Sequence, residues 1–207
     1  MSLLAFTIAA VILAITPGPG IAYVVARTVA GGRFEGLASC FGTAIGGMLH
    51  VVAAALGLSL IIAQSAVAFN FVKYVGAAYL VYLGIRLLLR KNRRLASDPV
   101  AARGVRGALL EGILVEALNV KTALFFLAFL PQFVTSTEPL VPQLVLLGSV
   151  CVALNTFVDI VAVLAAERLL KSSVAREARA RLLTRISGVT MLGLGAYLAL
   201  ARRGAET

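Results

Sequence analysis

Thr16-Pro17-Gly18-Pro19-Gly20 stands in the middle of an apolar run that extends from Leu3 to Val25. The run is about 23 residues, or roughly 34 Å of helix at about 1.5 Å per residue, enough to cross a bilayer. Each proline removes a backbone donor and crowds the preceding turn. The residue before each proline is pushed away from helical angles. The stretch therefore predicts a helix interrupted near half depth. Bare carbonyls at that depth are tolerated only where they are buried in protein or line a cavity. A lone proline reads as a passive kink; two prolines and two glycines in four residues read as a binding-site break.

Composition agrees with a chain that lives in lipid. Hydrophobic residues make up 60% of it, mean hydropathy is +0.98, and a soluble domain is nearer half apolar. The net charge of +10 raises the question of nucleic acid. The basic residues sit in short connections between apolar spans and no aromatic interleaving accompanies them, so no nucleic-acid partner is expected. Anionic lipid is the partner these connections suit. Cys40 and Cys151 fall in or near apolar spans without CxxC or metal-ligand spacing and read as small buried hydrophobes. No metal and no cofactor is predicted. The N-terminus lacks a basic region before its apolar run, so no cleaved signal peptide is read.

Six spans can be drawn, at about 3–25, 37–63, 67–89, 108–134, 142–166 and 184–201. Arg27 and Arg33 flank the first connection. Arg86, Arg90, Lys91, Arg93, Arg94, Arg103 and Arg106 lie in or beside the third, and Arg168, Lys171, Arg176, Arg179, Arg181 and Arg185 lie in or beside the fifth. The second has only Lys73 nearby and the fourth has none. With six spans the odd connections share a side, and the positive-inside rule makes that side the cytoplasm. Both termini then face outward, with Arg202 and Arg203 as the counter-signal.

The halves look related. Lys73…Gly76…Leu80…Arg90 aligns with Arg185…Gly188…Leu192…Arg202 at a constant offset of 112 (185 − 73). Span four is interrupted at Asn119-Val120-Lys121 as span one is at Pro17. The expected architecture is a single all-α transmembrane domain over 1–207. It comprises two inverted three-helix repeats, about 1–90 and 108–203, joined by a basic linker at about 91–107. Helices one and four are interrupted near mid-membrane.

Further patterns share this order: Gly42…Gly46-Gly47…His50, Gly76-Ala77-Ala78-Tyr79-Leu80, Asn119-Val120-Lys121 and Pro131-Gln132-Phe133. With Pro17-Gly18-Pro19, they make the chain resemble the LysE/RhtB family of amino-acid exporters. The resemblance implies export of small amino acids or their derivatives across the bacterial inner membrane, coupled to proton entry. Two positions depart from the family pattern. Val120 replaces the proline of an Asn-Pro-Lys motif, which leaves the sharpness of the span-four break open. Glu116 stands where a neutral polar residue is usual.

Ionisable groups at membrane depth are functional candidates by default. Pro17, Gly18, Pro19, Gly20, His50, Asn119, Lys121 and Asn155 all fall near the middle of their spans, so four spans bring polar or broken-backbone features to one level. Lys121 is expected to hold a substrate carboxylate, helped by the N–H groups of the half-helices. The competing reading is a structural ion pair to Asp159 or Glu116. Asp159 is expected to accept a proton or a substrate ammonium. His50 suits a proton shuttle or, more plainly, a bond to a facing helix. Asn155 and Gln132 can bond substrate or glue helices, and Gly42…Gly46 is a small-xxx-small packing pair.

Other functions fit less well. ATP-driven transport lacks a Gly-Lys-Ser/Thr loop, and an enzyme lacks a nucleophile, base and orienter set. A thiol relay, an ion transporter of the same superfamily, and a channel or scaffold are the alternatives to an amino-acid carrier. A homodimer suits so small a carrier.

Overall fold

The computed structural model describes residues 3–58, 66–89, 102–135 and 137–169, with helical positions at 189, 192, 193, 196, 199 and 200. The fifth basic connection, most of span six and the C-terminal member of the 112-residue repeat lie outside the described residues. Every described element is helical, and among the described residues there is no strand. In chain order they are α1 (Leu3–Ile15), α2 (Pro19–Ala53), α3 (Ala66–Leu89), α4 (Gly104–Ala117), α5 (Val120–Leu124) and α6 (Leu140–Leu169). A π-helical turn, Ala54–Leu58, follows α2. A second, Phe125–Phe129, follows α5 and runs into a 3-10 turn at Leu130–Phe133.

The Pro-Gly-Pro-Gly stretch stops α1 at Ile15. Its chain resumes as helix at Pro19, with Gly18 extended at φ −130°, ψ −170° as the N-cap. Proline suits the first helical position because its missing N–H would lack an intrahelical partner there anyway. α2 then changes direction at Gly32, whose φ of +79° and ψ of −173° belong to a region that only glycine occupies at ease. Gly32 thereby divides α2 into a shorter N-terminal and a longer C-terminal segment. By length and composition, α2 with its π turn and α6 are long and apolar enough to cross a membrane. A third crossing is made if α4 and the helical stretch Val120–Phe133, bent by 42°, count as one broken span.

α2 packs mainly on α4 and α6, and small residues let the first contact close. A Cβ on Gly42 would stand 2.2 Å from the Leu109 carbonyl oxygen, and one on Gly46 would stand 2.6 Å from that of Ile113. Gly112 reciprocates, 2.9 Å from the Ser39 carbonyl. Close backbone approach of this kind replaces the hydrophobic drive that lipid cannot supply.

Apolar side chains gather in two clusters. The larger joins α1, the end of α2, the turns after α5, and α6. It is built round Phe6, Phe125, Phe126, Phe129, Leu130 and Leu144. Phe125 stacks on Phe129 at 5.2 Å, and Phe133 bridges Phe129 at 5.5 Å and Phe6 at 5.4 Å. The smaller is Val24, Cys40 and Val163, with Leu37 and Ile160 against it. Large apolar side chains such as Leu4, Phe41, Phe71 and Phe157 point outward, as expected of a surface bathed in hydrocarbon.

A bulkier residue at the α2–α4 contact tests this packing. Gly42→Val is expected to cost about 1–3 kcal/mol or more through overpacking, read as a lower unfolding temperature in detergent. Ile45→Val, on the exposed side of the same helix, should stay within about 0.5 kcal/mol of the parent.

Candidate functional site

The site forms where the two helix breaks face each other. On span four, α4 ends at Ala117 and α5 begins at Val120, with Asn119 between them at φ −75°, ψ 100°. The Asn119 side-chain oxygen accepts from the Lys121 backbone N–H at 3.1 Å, an N-cap. The Asn119 N–H donates to the Glu116 carbonyl at 2.9 Å. An asparagine cap thus breaks the span without a proline, and Val120 lies on the exposed side.

Lys121 starts the short helix and reaches back across the bundle. Its ammonium donates to the Thr16 carbonyl at 2.8 Å and the Leu13 carbonyl at 3.1 Å, in the last turn of α1. A cation at a helix C-terminus meets both the unbonded carbonyls and the negative end of the dipole. Lys121 is buried and forms no ion pair with Asp159 or Glu116; the ion pairs among the described residues are elsewhere. Gly18 makes room for it, since a Cβ there would lie 3.1 Å from the Lys121 Cε.

The carboxylates differ in how they are held. Glu116 accepts from the Asn119 amide at 2.9 Å on one oxygen and from the Thr122 hydroxyl at 2.6 Å on the other. Both oxygens of the Glu116 carboxyl group are thus engaged by side chains of its own span. Asp159, from α6, takes a bond from the Thr43 hydroxyl at 3.0 Å. That hydroxyl also lies 2.9 Å from the Cys40 carbonyl, and its single proton serves one acceptor at a time.

Lys121, Glu116, Asn119, Asp159 and Asn155 border one cavity, together with Thr43 and Thr156; Phe126 and Val152 supply apolar wall. The cavity measures about 20 Å³, room for about one water. An amino acid therefore requires the bundle to widen. Asn155 lines the space while its amide donates back to the Cys151 carbonyl at 2.9 Å. Pro17 is half-buried between the helices, and Pro19 faces outward at the start of α2. His50 does not border the cavity. Its Nε2 lies 2.9 Å from the Glu116 carbonyl, so it donates to the facing helix at the break. Gln132 is buried in the aromatic end with its amide 3.4 Å from the Ala128 carbonyl.

Sequence reasoning missed Thr43 and Thr122, which hold the two carboxylates, and the Thr16 and Leu13 carbonyls that bind Lys121. The only sequence signal for Thr122 was its place beside Lys121. Thr43 carried a fainter one, seven residues before His50 on the same span.

Two facing helix breaks round a charged cavity, among helices long and apolar enough to cross a bilayer, mark the chain as a membrane protein. The LysE type translocator family model matches residues 11–202, and the chain belongs to that family. It is a translocator, not an enzyme. An uncharacterized membrane protein of Vibrio cholerae is 33% identical over 156 residues, covering 75% of this chain and 76% of its own. A homoserine/homoserine lactone efflux protein of Salmonella typhi is 28% identical over 199 residues, covering 96% of each. A leucine efflux protein of Salmonella typhimurium is 32% identical over 138 residues, covering 65% of this chain and 64% of its own. No solved structure matches.

Gly20 offers a direct test of the geometry. Its Cβ position lies 2.6 Å from a Glu116 carboxylate oxygen, so Gly20→Ala must displace that group. A shift of about 1 Å in a positioned group costs up to about 10²-fold in rate. Initial efflux should fall at least about tenfold on that basis, while folded yield, read by size-exclusion profile, is retained.

Proposed function

We propose that the chain is a secondary-active exporter of amino acids or amino-acid derivatives from the bacterial cytoplasm, driven by exchange for protons. It works in the inner membrane as two inverted three-helix repeats, with both termini outside. The observation that carries this reading is the cavity itself. One cation, Lys121, and two carboxylates, Glu116 and Asp159, border a single space between two broken helices. A zwitterion needs such a pairing.

The roles divide by how each group is already engaged. Lys121 spends two of its three ammonium protons on α1; the third serves a substrate carboxylate. Glu116 has both oxygens occupied and holds the second break in shape. Asp159 answers only to a hydroxyl that can turn to the Cys40 carbonyl instead. It is the group that takes either a proton or the substrate ammonium. One carboxylate that holds one or the other, never both, is the minimal device for exchange. The relatives named for homoserine and leucine efflux support a small amino acid as cargo.

Two measurements test the proposal. Efflux from preloaded vesicles across a panel of amino acids, with and without an imposed pH gradient, should be saturable and stimulated by inward proton flow. Non-saturable efflux indifferent to the gradient would sink the exporter reading. In Asp159→Asn, gradient-driven export should vanish while some downhill exchange persists. An unchanged pH dependence removes Asp159 from the coupling step.

A further inference from the structure

Leaving the cavity toward Gly32 and Arg103, four helical segments step through the same sequence of layers. α2 before Gly32 passes from Gly20 to Val24 to Arg27. α2 after Gly32 passes, in reverse, from Thr43 to Cys40 to Glu35. α4 passes from Glu116 through Gly112 to Glu111, and α6 from Asp159 to Val163. The middle layer is the small cluster of Val24, Cys40 and Val163, at 0%, 1% and 0% exposure. Among the described residues its apolar part is thin, three small side chains with Leu37 and Ile160 against them, and buried Thr28, Arg27 and Glu35 follow it along α2. In the other direction the cavity is backed by the larger, aromatic-rich cluster.

Polar contacts fasten the thin side. Glu111 accepts from the Arg27 guanidinium at 3.0 Å and from Arg103 at 3.4 Å. The Tyr23 hydroxyl, 2.8 Å from the Ala108 carbonyl, lies 3.3 Å from the same carboxylate. Arg27 stands 5.4 Å over the Tyr23 ring. Glu35 accepts from the backbone N–H groups of Gly104 at 2.7 Å and Arg103 at 3.3 Å, closing the start of α4. Both segments of α2 are therefore tied to α4 by one carboxylate each.

We propose that the Val24–Cys40–Val163 layer is the door between the site and the basic-connection end of the bundle, and that Glu111 is its latch. The proposal rests on reading the cavity as the transport site. In this structure the door is shut. Arg103 caps α4 itself, so its pair with Glu111 stays within that helix. Across the helix contact Glu111 is held by Arg27 and by the Tyr23 hydroxyl, and releasing this one carboxylate frees α4 from the Arg27 guanidinium. The Glu111 side chain is 35% exposed and that of Arg27 is 8% exposed, so water reaches this pair from the Glu111 side only. Parting three small side chains also strips less apolar contact than parting the aromatic cluster. The thin side is therefore the one that opens to load substrate.

The chain's two cysteines report on the two sides. With Cys151→Ser, Cys40 is the sole thiol and sits in the door. With Cys40→Ser, Cys151 is the sole thiol and sits in the larger cluster. In the full chain reconstituted in vesicles, Glu111→Gln should raise the rate of Cys40 modification by N-ethylmaleimide at least about tenfold and leave that of Cys151 within about twofold, as a shift in one local opening predicts. The charge-reversed pair Arg27→Glu with Glu111→Arg should restore protection of Cys40. An unchanged Cys40 rate, both thiols rising together, or no restored protection would overturn the latch. Labelling needs no transport, so its failure leaves the carrier reading standing, and absent efflux leaves the door standing.

Discussion

A helix that stops inside a membrane leaves carbonyls with no water to bond, and here the Lys121 ammonium answers them. Its two bonds to Leu13 and Thr16 join residues more than a hundred positions apart and satisfy the end of α1. The Leu13 carbonyl also accepts from the Thr16 N–H at 3.2 Å, while a carbonyl left bare in hydrocarbon costs several kcal/mol. The rest of the site follows from keeping that cation in place. Asn119 must start a new helix at Val120 so that Lys121 leaves the backbone at the right level. Position 18 must lack a side chain so that the lysine stem fits. Glu116 must hold Asn119. The two breaks are therefore one structural unit, each supplying what the other lacks.

That unit accounts for the contrast between the two acidic groups. Glu116 belongs to the scaffold of the second break. Two neutral donors from its own span saturate it, and His50 donates to its backbone oxygen from the second span. Asp159 comes from a continuous helix, α6, and meets the cavity with one reversible hydroxyl partner. A carboxylate locked by neighbours preserves shape, while one with a turnable partner can exchange what it binds. That contrast is the ground on which we propose Asp159, and not Glu116, as the exchanging group.

The α2–α4 contact carries these pieces at a common depth. Glycines at 42, 46 and 112 bring the two backbones together, so Thr43, Glu116 and the turn at Asn119 share a level with Asp159 on α6. The same contact continues to Glu35 and Glu111 at the far end. Packing density is uneven along it: aromatic rings fill one end, and short aliphatic groups and a thiol fill the other.

Much of this was legible along the chain. Two prolines and two glycines in one apolar run dictate a break, because ring geometry and the missing N–H act locally whatever surrounds them. Polar residues in mid-span mark the level of a site, because lipid penalises them wherever they have no use. Gly31-Gly32 marks the turn out of span one for the same local reason. The tertiary structure decided what those groups touch. The alternative of a Lys121 ion pair to Asp159 or Glu116 gives way to bonds with two carbonyls; an asparagine cap breaks span four without the proline; His50 bonds the break and stands clear of the cavity. Thr43, Tyr23 and Glu111 gain their roles only from partners on other helices. Dihedral preferences and hydropathy are properties of neighbours in sequence, and they placed the breaks and the level. Hydrogen bonds between residues 66 to 116 positions apart exist only once glycine-faced helices have closed on one another, so the fold alone assigns the partners.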